Sequence, residues 1–314
     1  MTVKLHCPNF WGFERFYADT LKAPQEFKRE NTEIVAAYGC FPGQVWNGGR
    51  PQNPNQLSNI KRIEQEFEIY HNKIGFPIEL TFNNMLLEED DFKDEYCNEI
   101  AKIAEKYDTA CTVTLTTLRD YLRKNYPKLR LKRSCIACED GQPWSLNGWD
   151  LSVLDQFEGG NKEILSAIPN DKRSRIEIVA NVECKDGCPN FYKHHRCSAE
   201  CQKYGHSKIN FNCPLGQYYI PMRFARLQKH YVSPEKAQEY AKEGFEDFKL
   251  VSRCNLGQAV HEVCYYYFKP EFVPDCVVRS YLMFGMPMKI GMNLGYDLFF
   301  PNGTDPLKGV EDVG

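Results

Sequence analysis

The segments PIELTFN (Pro77–Asn83), DFKDEYCNEIAKIAEKY (Asp91–Tyr107) and ACTVTLT (Ala110–Thr116) decide the fold class of this chain. The first and third are short runs rich in β-branched and other apolar residues, which is typical of buried strands. The middle segment places apolar and aromatic residues at the spacing of one helix face. A strand, a helix and a second strand in succession predict parallel strands joined by a crossover helix.

The same alternation extends over most of the chain. Strand-like runs occur at Val3–Cys7, Glu33–Cys40, Pro77–Asn83, Ala110–Thr116, Leu129–Cys135, Leu151–Asp155, Arg175–Cys184 and Asp247–Ser252. Helix-like segments occur at Gln56–Lys73, Asp91–Tyr107, Thr117–Asn125, Lys162–Ile168, Ser233–Gly244 and Leu256–Phe268. About eight such units over roughly 260 residues predict an α/β fold, a (β/α)8 TIM-barrel-like domain, rather than an open doubly wound sheet. No G-x-G-x-x-G follows the first strand, so a dinucleotide site has no support.

The segment 184–222 interrupts this rhythm. It is rich in cysteine and histidine and shows no clear periodicity, so we expect a long irregular insertion with a functional or metal-binding role. We therefore expect a barrel domain over residues 1–273, including this Cys-rich loop. The Gly- and Met-rich residues 274–314 are expected to form a C-terminal extension packed on the barrel.

Composition limits the function classes. The 314 residues carry a net charge of −3, which argues against a protein built around non-specific nucleic-acid binding but leaves a local basic groove open. No apolar run approaches the length of a membrane span, and the first residues show no signal-peptide core. We therefore expect a cytoplasmic protein without a membrane partner. In that reducing compartment the 14 cysteines indicate metal or redox chemistry, or buried small residues, rather than disulfides.

Five of these cysteines fall within 30 residues and form the strongest candidate site. They are Cys184, Cys188, Cys197, Cys201 and Cys213, interleaved with His194, His195 and His206. Soft thiolates bind zinc tetrahedrally or hold an iron–sulfur cluster, and the spacing does not choose between them. Elsewhere, Cys135 and Cys138 form a Cys-x2-Cys pair, a weak signal of metal or redox work. Cys97, Cys111, Cys264 and Cys276 lie in apolar patterns and are predicted to be core residues.

Polar residues also gather where predicted strands end. The loop from Tyr38 to Arg50 contains several glycines and an arginine. This composition suits a loop whose backbone approaches a ligand closely, with the arginine as an anion partner, and it equally suits an ordinary glycine-rich loop. Asn83 and Asn84 end the third strand, Ser134 and Cys135 the fifth, and Lys249 and Arg253 lie on or just after the eighth. In a barrel these ends meet at the catalytic face. His195 is a candidate ligand or base within the Cys-rich segment.

Three segments together resemble the collagenase-like peptidase family, peptidase family U thirty-two. Pro234–Phe268 resembles a helix leading into a strand that ends Lys-Ile-x-Gly-Arg in that family, with Ser252 here in place of the glycine. The run from Asn181 through Cys184 and Cys188 to the distant Cys213 resembles its cysteine region, and the loop from Tyr38 to Arg50 resembles its early Gly-rich loop. The similarity covers about residues 30–270 and is divergent.

The resemblance implies a TIM-barrel-like domain with a 4Fe–4S cluster. By position it implies Cys184, Cys188 and Cys213 as ligands, with Cys201 as the fourth and Cys197 or Cys40 as alternates. Relatives of this kind include oxygen-independent hydroxylases of a quinone precursor or of cytidine in RNA, with prephenate as oxygen donor. Arg50 and Arg253 are then candidate forks for a carboxylated substrate, and His195 a candidate catalytic group.

Three functions follow as hypotheses. The first is an iron–sulfur hydroxylase acting on a small aromatic or nucleobase substrate with a carboxylated co-substrate. The second, implied by the family's name, is a metal-dependent peptidase with zinc-bound hydroxide and Glu183 or His195 as base. The third is a barrel stapled by structural zinc that acts as a partner-binding subunit. A heterodimer partner and an RNA partner both stay open.

Overall fold

In the computed structural model, the described residues are 1–22, 25, 28–49, 53, 55–182, 184–208, 225–252 and 257–269. They form a closed barrel of eight parallel strands in chain order. The strands are β1 (Val3–Pro8), β2 (Thr32–Gly39), β3 (Ile78–Phe82), β4 (Ala110–Val113), β5 (Arg130–Arg133), β6 (Leu151–Val153), β7 (Ile176–Val179) and β8 (Asp247–Lys249). The predicted (β/α)8 TIM-barrel-like fold is confirmed, and each predicted strand-like run overlaps one of these strands.

Closure of the barrel depends on the pairing of β1 with β8. His6 is in register with Lys249, and Lys4 with Asp247, so the first and last strands meet side by side. The strands are short and nearly all buried; every residue of β3, for example, is buried. Burial along the whole strand is expected for parallel strands covered on the outside by helices.

The helices lie between the strands in the order that the pattern predicts. They are α1 (Glu14–Leu21), α2 (Ile60–Glu68), α3 (Glu95–Lys106), α4 (Thr116–Asn125), α5 (Lys162–Ala167), α6 (Phe191–Tyr204), α7 (Pro234–Lys242) and α8 (Gly257–Phe268). The start of α7 follows from its sequence: Ser233 caps it by accepting a hydrogen bond from the Lys236 amide, and Pro234 occupies the first turn.

Two helices differ from the expectation. The pattern gives no helix over Glu14–Leu21, and it predicts an irregular insertion where α6 forms a regular helix. The reason lies in the buried face of α6, which includes His195, Ser198 and Gln202 beside Phe191 and Ala199. Because that face is largely polar, a search for hydrophobic periodicity does not detect it.

The rest of the segment 184–222, from residue 209 onward, lies outside the described residues. So do the expected boundary at residue 273 and the C-terminal extension 274–314. The division into a barrel and an extension therefore stays a prediction. Among the described residues, no helix is both long enough and apolar enough to cross a membrane.

Candidate active site

The interior of the barrel contains a layer of charged side chains. His6 on β1, Glu79 on β3, Lys132 on β5 and Glu177 on β7 are all buried. They come from alternate strands, as expected for one layer of a (β/α)8 barrel, where branched apolar residues are more usual. The ammonium of Lys132 lies 2.9 Å from Oε2 of Glu79 and also contacts Oε2 of Glu177. His6 Nδ1 lies 3.2 Å from Glu79 Oε2 and 3.4 Å from Glu177 Oε2.

These contacts fix the charge state of the layer. Burial alone lowers the pKa of His6, but the carboxylates of Glu79 and Glu177 outweigh it and raise the pKa to about 9. Burial opposes ionisation of both carboxyl groups as well, yet the Lys132 ammonium holds the pKa of Glu79 and of Glu177 below the usual range. At neutral pH the layer therefore consists of charged, mutually compensating groups.

His6, Glu79 and Glu177 also form a group whose ligand atoms lie within 4.8 Å of one another, a spacing that suits one metal ion. The ammonium of Lys132 already contacts the same carboxylate oxygens that face the imidazole. A lysine cation thus supplies the positive charge that a metal would supply. We interpret this group as an internal ion-pair layer. Charges removed from water are stable only when opposite charges compensate them, as they do here.

Lys249 connects this layer to the open end of the barrel. It is the last residue of β8 and is 8% exposed. Its Nζ lies 3.4 Å from Oε1 of Glu177 and 3.7 Å from the centre of the Tyr38 ring. The Tyr38 hydroxyl donates a 2.6 Å hydrogen bond to the Leu250 carbonyl, which holds the ring in place beneath the ammonium.

A cavity of about 190 Å³ lies above Lys249 at the carboxyl ends of the strands. Its walls include Cys40 after β2, Asn83 after β3, Ser134 and Cys135 after β5, and Lys249 itself. This is the end at which active sites of (β/α)8 enzymes lie. Asn83, Ser134, Cys135 and Lys249 were predicted from their strand-end positions, and the structure brings them together in one cavity, which we call the mouth cavity.

Helix α6 covers this cavity. His194, His195 and Ser198 line it from above. The helix is tied to the β3–α3 connection, because Asn84 Nδ2 donates to the Ala199 carbonyl at 3.3 Å and Lys203 Nζ donates to Asp91 Oδ2 at 2.8 Å. The candidate His195 is thus buried in the cavity wall, with its ring edge-on to Phe191 at 4.5 Å.

The glycine-rich loop after β2 packs against the protein itself. The amides of Gly48 and Gly49 donate to Asn83 Oδ1 at 3.0 and 2.9 Å. A Cβ added to Gly48 would lie 2.5 Å from the Cα of Asn84, and one added to Gly49 would lie 2.5 Å from Asn83 Nδ2. These glycines are therefore needed for close approach between two loops of the barrel, and Gly49 also lines the mouth cavity.

Four thiols of the predicted cluster are described, and all four are half-buried: Cys184, Cys188, Cys197 and Cys201. Cys184 packs with Cys135 against the small apolar group Val153, Val179 and Val182 at the cavity rim. Cys197 and Cys201 lie one turn apart on α6, and burial, followed by charge repulsion from Cys197, raises the pKa of the Cys201 thiol.

The complete ligand set cannot be followed in the described residues, because Cys213 lies outside them, as do Arg50, Arg253 and Glu183. Within the described part of the chain, no three of the cysteines come within 4.8 Å of one another. The alternate ligand Cys40 is buried and lines the mouth cavity. The ligand assignment therefore stays a prediction.

The Cys-x2-Cys pair is divided between two environments. Cys135 lines the mouth cavity, whereas Cys138 is buried and its Sγ accepts a hydrogen bond from Arg133 Nη1 at 3.1 Å. Burial raises the pKa of the Cys138 thiol to about 12. Cys97, Cys111 and Cys264 are fully buried, which confirms them as core residues, while Cys276 lies outside the described residues.

The charged layer is not among the sequence predictions, although a signal for it exists. Glu79 and Glu177 each interrupt a short strand of otherwise largely apolar character, and Lys132 lies on a strand with three basic residues out of four. A charged residue at such a position must find a partner inside the barrel, because a lone buried charge is too costly. Which strands supply the partners depends on barrel closure.

Comparisons with known proteins find a distant structural likeness. No family model matches the chain, and no curated protein matches it. Among solved structures the chain is similar to one described as the U32 peptidase Mk0906, with 14% identity and a TM-score of 0.47. The likeness covers 80% of this chain and 93% of that chain.

Proposed function

We propose that this chain is a (β/α)8 enzyme that acts on a small molecule in the mouth cavity, with a 4Fe–4S cluster held by the thiols of the Cys-rich segment. The activity we propose is the oxygen-independent hydroxylation, with a carboxylated co-substrate, that the resemblance to the collagenase-like peptidase family implies. One observation carries the proposal of an enzyme. Polar side chains from the ends of several strands and imidazoles from α6 line a single cavity at the mouth of the barrel.

The size of the cavity supports a small ligand. Its volume of about 190 Å³ lies below the range of about 300–1,000 Å³ that is usual for pockets binding drug-sized ligands. An extended polypeptide needs a groove that is open at both ends, whereas α6 covers this cavity through its bonds to the β3–α3 connection. The cavity therefore favours a small-molecule enzyme over the peptidase alternative.

The chemistry of the thiol donors supports the cluster. Iron–sulfur clusters are held by four cysteine thiolates, and Cys184, Cys188, Cys197 and Cys201 are half-buried thiols. Cys184 lies near the cavity rim, Cys188 shortly before α6, and the other two on that helix. With Cys213 the segment offers more thiols than one cluster needs. When bound, such a cluster supplies an iron that polarises an oxygenated ligand.

The protein side chains have roles of their own in this proposal. His195 lines the cavity and holds or moves a proton at the bound ligand. Arg50 and Arg253 are proposed as bidentate partners of a substrate carboxylate. Asn83 shapes the cavity wall, because its side-chain oxygen fixes Gly48 and Gly49.

The test is anaerobic purification of the full chain followed by iron, sulfide and zinc analysis. We expect a brown protein with about four irons and four sulfides per chain. Cys184→Ser should lose the metal and remain folded, whereas Cys97→Ala, which changes a buried thiol of α3, should keep it.

Other outcomes would overturn the proposal in distinguishable ways. Colourless protein containing only zinc would favour the structural-staple hypothesis. Unfolding of Cys184→Ser on loss of zinc would support the same hypothesis. Cleavage of an unstructured protein, abolished by a chelator, would favour the peptidase. A metal-loaded chain that fails to hydroxylate any small aromatic or nucleobase compound in the presence of prephenate would reject the proposed reaction.

A further inference from the structure

Lys249 has an unusual environment for a lysine. Its side chain is 10% exposed and lines the mouth cavity. Among the described residues, its ammonium has no hydrogen-bond partner, because the 3.4 Å approach to Glu177 Oε1 does not have hydrogen-bond geometry. A buried ammonium that makes no hydrogen bond is costly, so this position needs a reason beyond stability.

The neighbours of Lys249 also carry positive charge. Lys132 contacts the other oxygen of the Glu177 carboxylate, and His6, with its pKa raised to about 9, lies 3.4 Å from that oxygen. Three cations therefore share two fully buried carboxylates, those of Glu79 and Glu177. The third carboxylate of the group, Asp247, binds the opposite nitrogen of His6 and is partly exposed. Of these three cations, Lys249 lines the mouth cavity, so its nitrogen is the one that a ligand in the cavity can meet, and a lysine amine is a nucleophile toward carbonyl carbon.

We propose that Lys249 is a carbonyl-reactive lysine that forms a Schiff base with a small aldehyde or ketone bound in the mouth cavity. This inference rests on the proposed function only in placing the ligand in that cavity, and it requires no metal. It assigns a covalent role to the cavity floor.

The reaction balances without an oxidant or reductant. The Lys249 ammonium releases a proton to cavity water, and the nitrogen lone pair attacks the carbonyl carbon. The resulting carbinolamine takes up one proton and loses its oxygen as water, which leaves a C=N bond that carries the positive charge as an iminium. The net change is one ammonium and one carbonyl to one iminium and one water.

The surroundings suit the product as well as the reactant. The iminium keeps the single positive charge of Lys249, so the ion pairing with Glu177 is preserved. The face of the Tyr38 ring, 3.7 Å from Nζ, stabilises a cation in either form. The hydrogen bond from Tyr38 to Leu250 keeps that ring from turning away during the reaction.

The test is reductive trapping on the full chain. The protein is incubated with acetone and cyanoborohydride at pH 7, and isopropylation of each lysine is followed over time by peptide mass spectrometry. Acetone is neutral, so simple attraction of an anion to Lys249 gives no signal. We expect Lys249 to react about tenfold or more faster than exposed lysines such as Lys61 and Lys102.

A buried lysine without special reactivity reacts more slowly than exposed ones, so a slower or equal rate at Lys249 would overturn the inference. Lys249→Arg keeps a cation beside Glu177 and should abolish the fast adduct while exposed lysines react as before. If the fast adduct persists in this variant, it belongs to another residue and the inference fails. Metal analysis of the same protein is independent of this result, so failure of the Schiff base and failure of the iron–sulfur proposal are separable.

Discussion

The ammonium of Lys132 on β5 lies 2.9 Å from a carboxylate oxygen of Glu79 on β3, across the inside of the barrel. Both side chains are almost completely buried, and Glu177 on β7 shares the same ammonium. The barrel is therefore filled at this level by an ion-pair layer whose members depend on one another.

Removing the central cation should destabilise the protein strongly. In Lys132→Met, Glu79 and Glu177 are left as neighbouring buried carboxylates, and we expect the free energy of unfolding to fall by about 3–5 kcal/mol. Urea denaturation measures it. The exposed ion pair of Lys93 with Asp90 provides the control, because Lys93→Met should leave the urea midpoint unchanged. Equal midpoints for the two variants would contradict the proposed role of the layer.

The charged layer should also make stability depend on alkaline pH. Burial opposes protonation of His6, but Glu79 and Glu177 raise its pKa from 6.5 to about 9 in the folded protein. The stabilisation is complete below pH 6.5 and is lost as the pH rises to about 9. We expect the unfolding free energy of the wild type to fall over this window relative to that of His6→Gln. Parallel curves for the two proteins would show that His6 is neutral in the folded state.

A second buried acid gives a pH effect on the outside of the barrel. Burial raises the pKa of Glu66 on α2 to about 8, and the carboxylate of Glu14 adds to the shift. The folded protein thus favours protonated Glu66, and stability falls as the pH rises from 4.5 to about 8. Glu66→Gln should have the stability of the wild type near pH 5 and exceed it above pH 8. The control is Glu68→Gln, an exposed substitution two residues away. It should show no such crossover in thermal melts at the two pH values.

Alanine substitutions at two neighbouring glycines should differ in whether a second substitution restores stability. An added Cβ on Gly48 meets the Asn84 backbone, whereas one on Gly49 meets the Asn83 side chain. We expect each alanine substitution to cost about 1–3 kcal/mol in the wild type. In an Asn83→Ala background, Gly49→Ala should lose most of this cost and Gly48→Ala should keep it. A double-mutant cycle by urea denaturation measures the difference, and identical coupling for both glycines would refute the described packing.

The two thiols of the Cys-x2-Cys pair should differ in reactivity. Cys138 is buried with a pKa raised to about 12, chiefly by burial, whereas Cys135 lines the mouth cavity. Iodoacetamide at pH 8 should therefore modify Cys135 about tenfold or more faster than Cys138. Peptide mass spectrometry gives the rates, with Cys135→Ser as the control for assignment. Equal rates would contradict the placement of Cys135 at the cavity and Cys138 in the core.

The sequence predicted the barrel because its evidence is local. The apolar run at Ile78–Phe82, the helical spacing over Glu95–Lys106 and the capping serine before Pro234 each identify an element from neighbouring residues alone. Eight repeats of strand and helix then favour closure. Helix α6 escaped detection because its buried face carries His195, Ser198 and Gln202, so the local pattern contained no apolar stripe.

For the candidate site, local evidence located individual groups at strand ends, such as Asn83 and Lys249, and the thiols from Cys184 onward. It could not show which of them meet. His6 contacts Glu177 only because β1 pairs with β8 and β8 with β7, and Lys249 reaches the mouth cavity only in that closed sheet. The sequence by itself determined the elements, since their signals lie within a few residues. The tertiary structure decided the charged layer and the cavity, since pairing distant strands depends on interactions that no local pattern records.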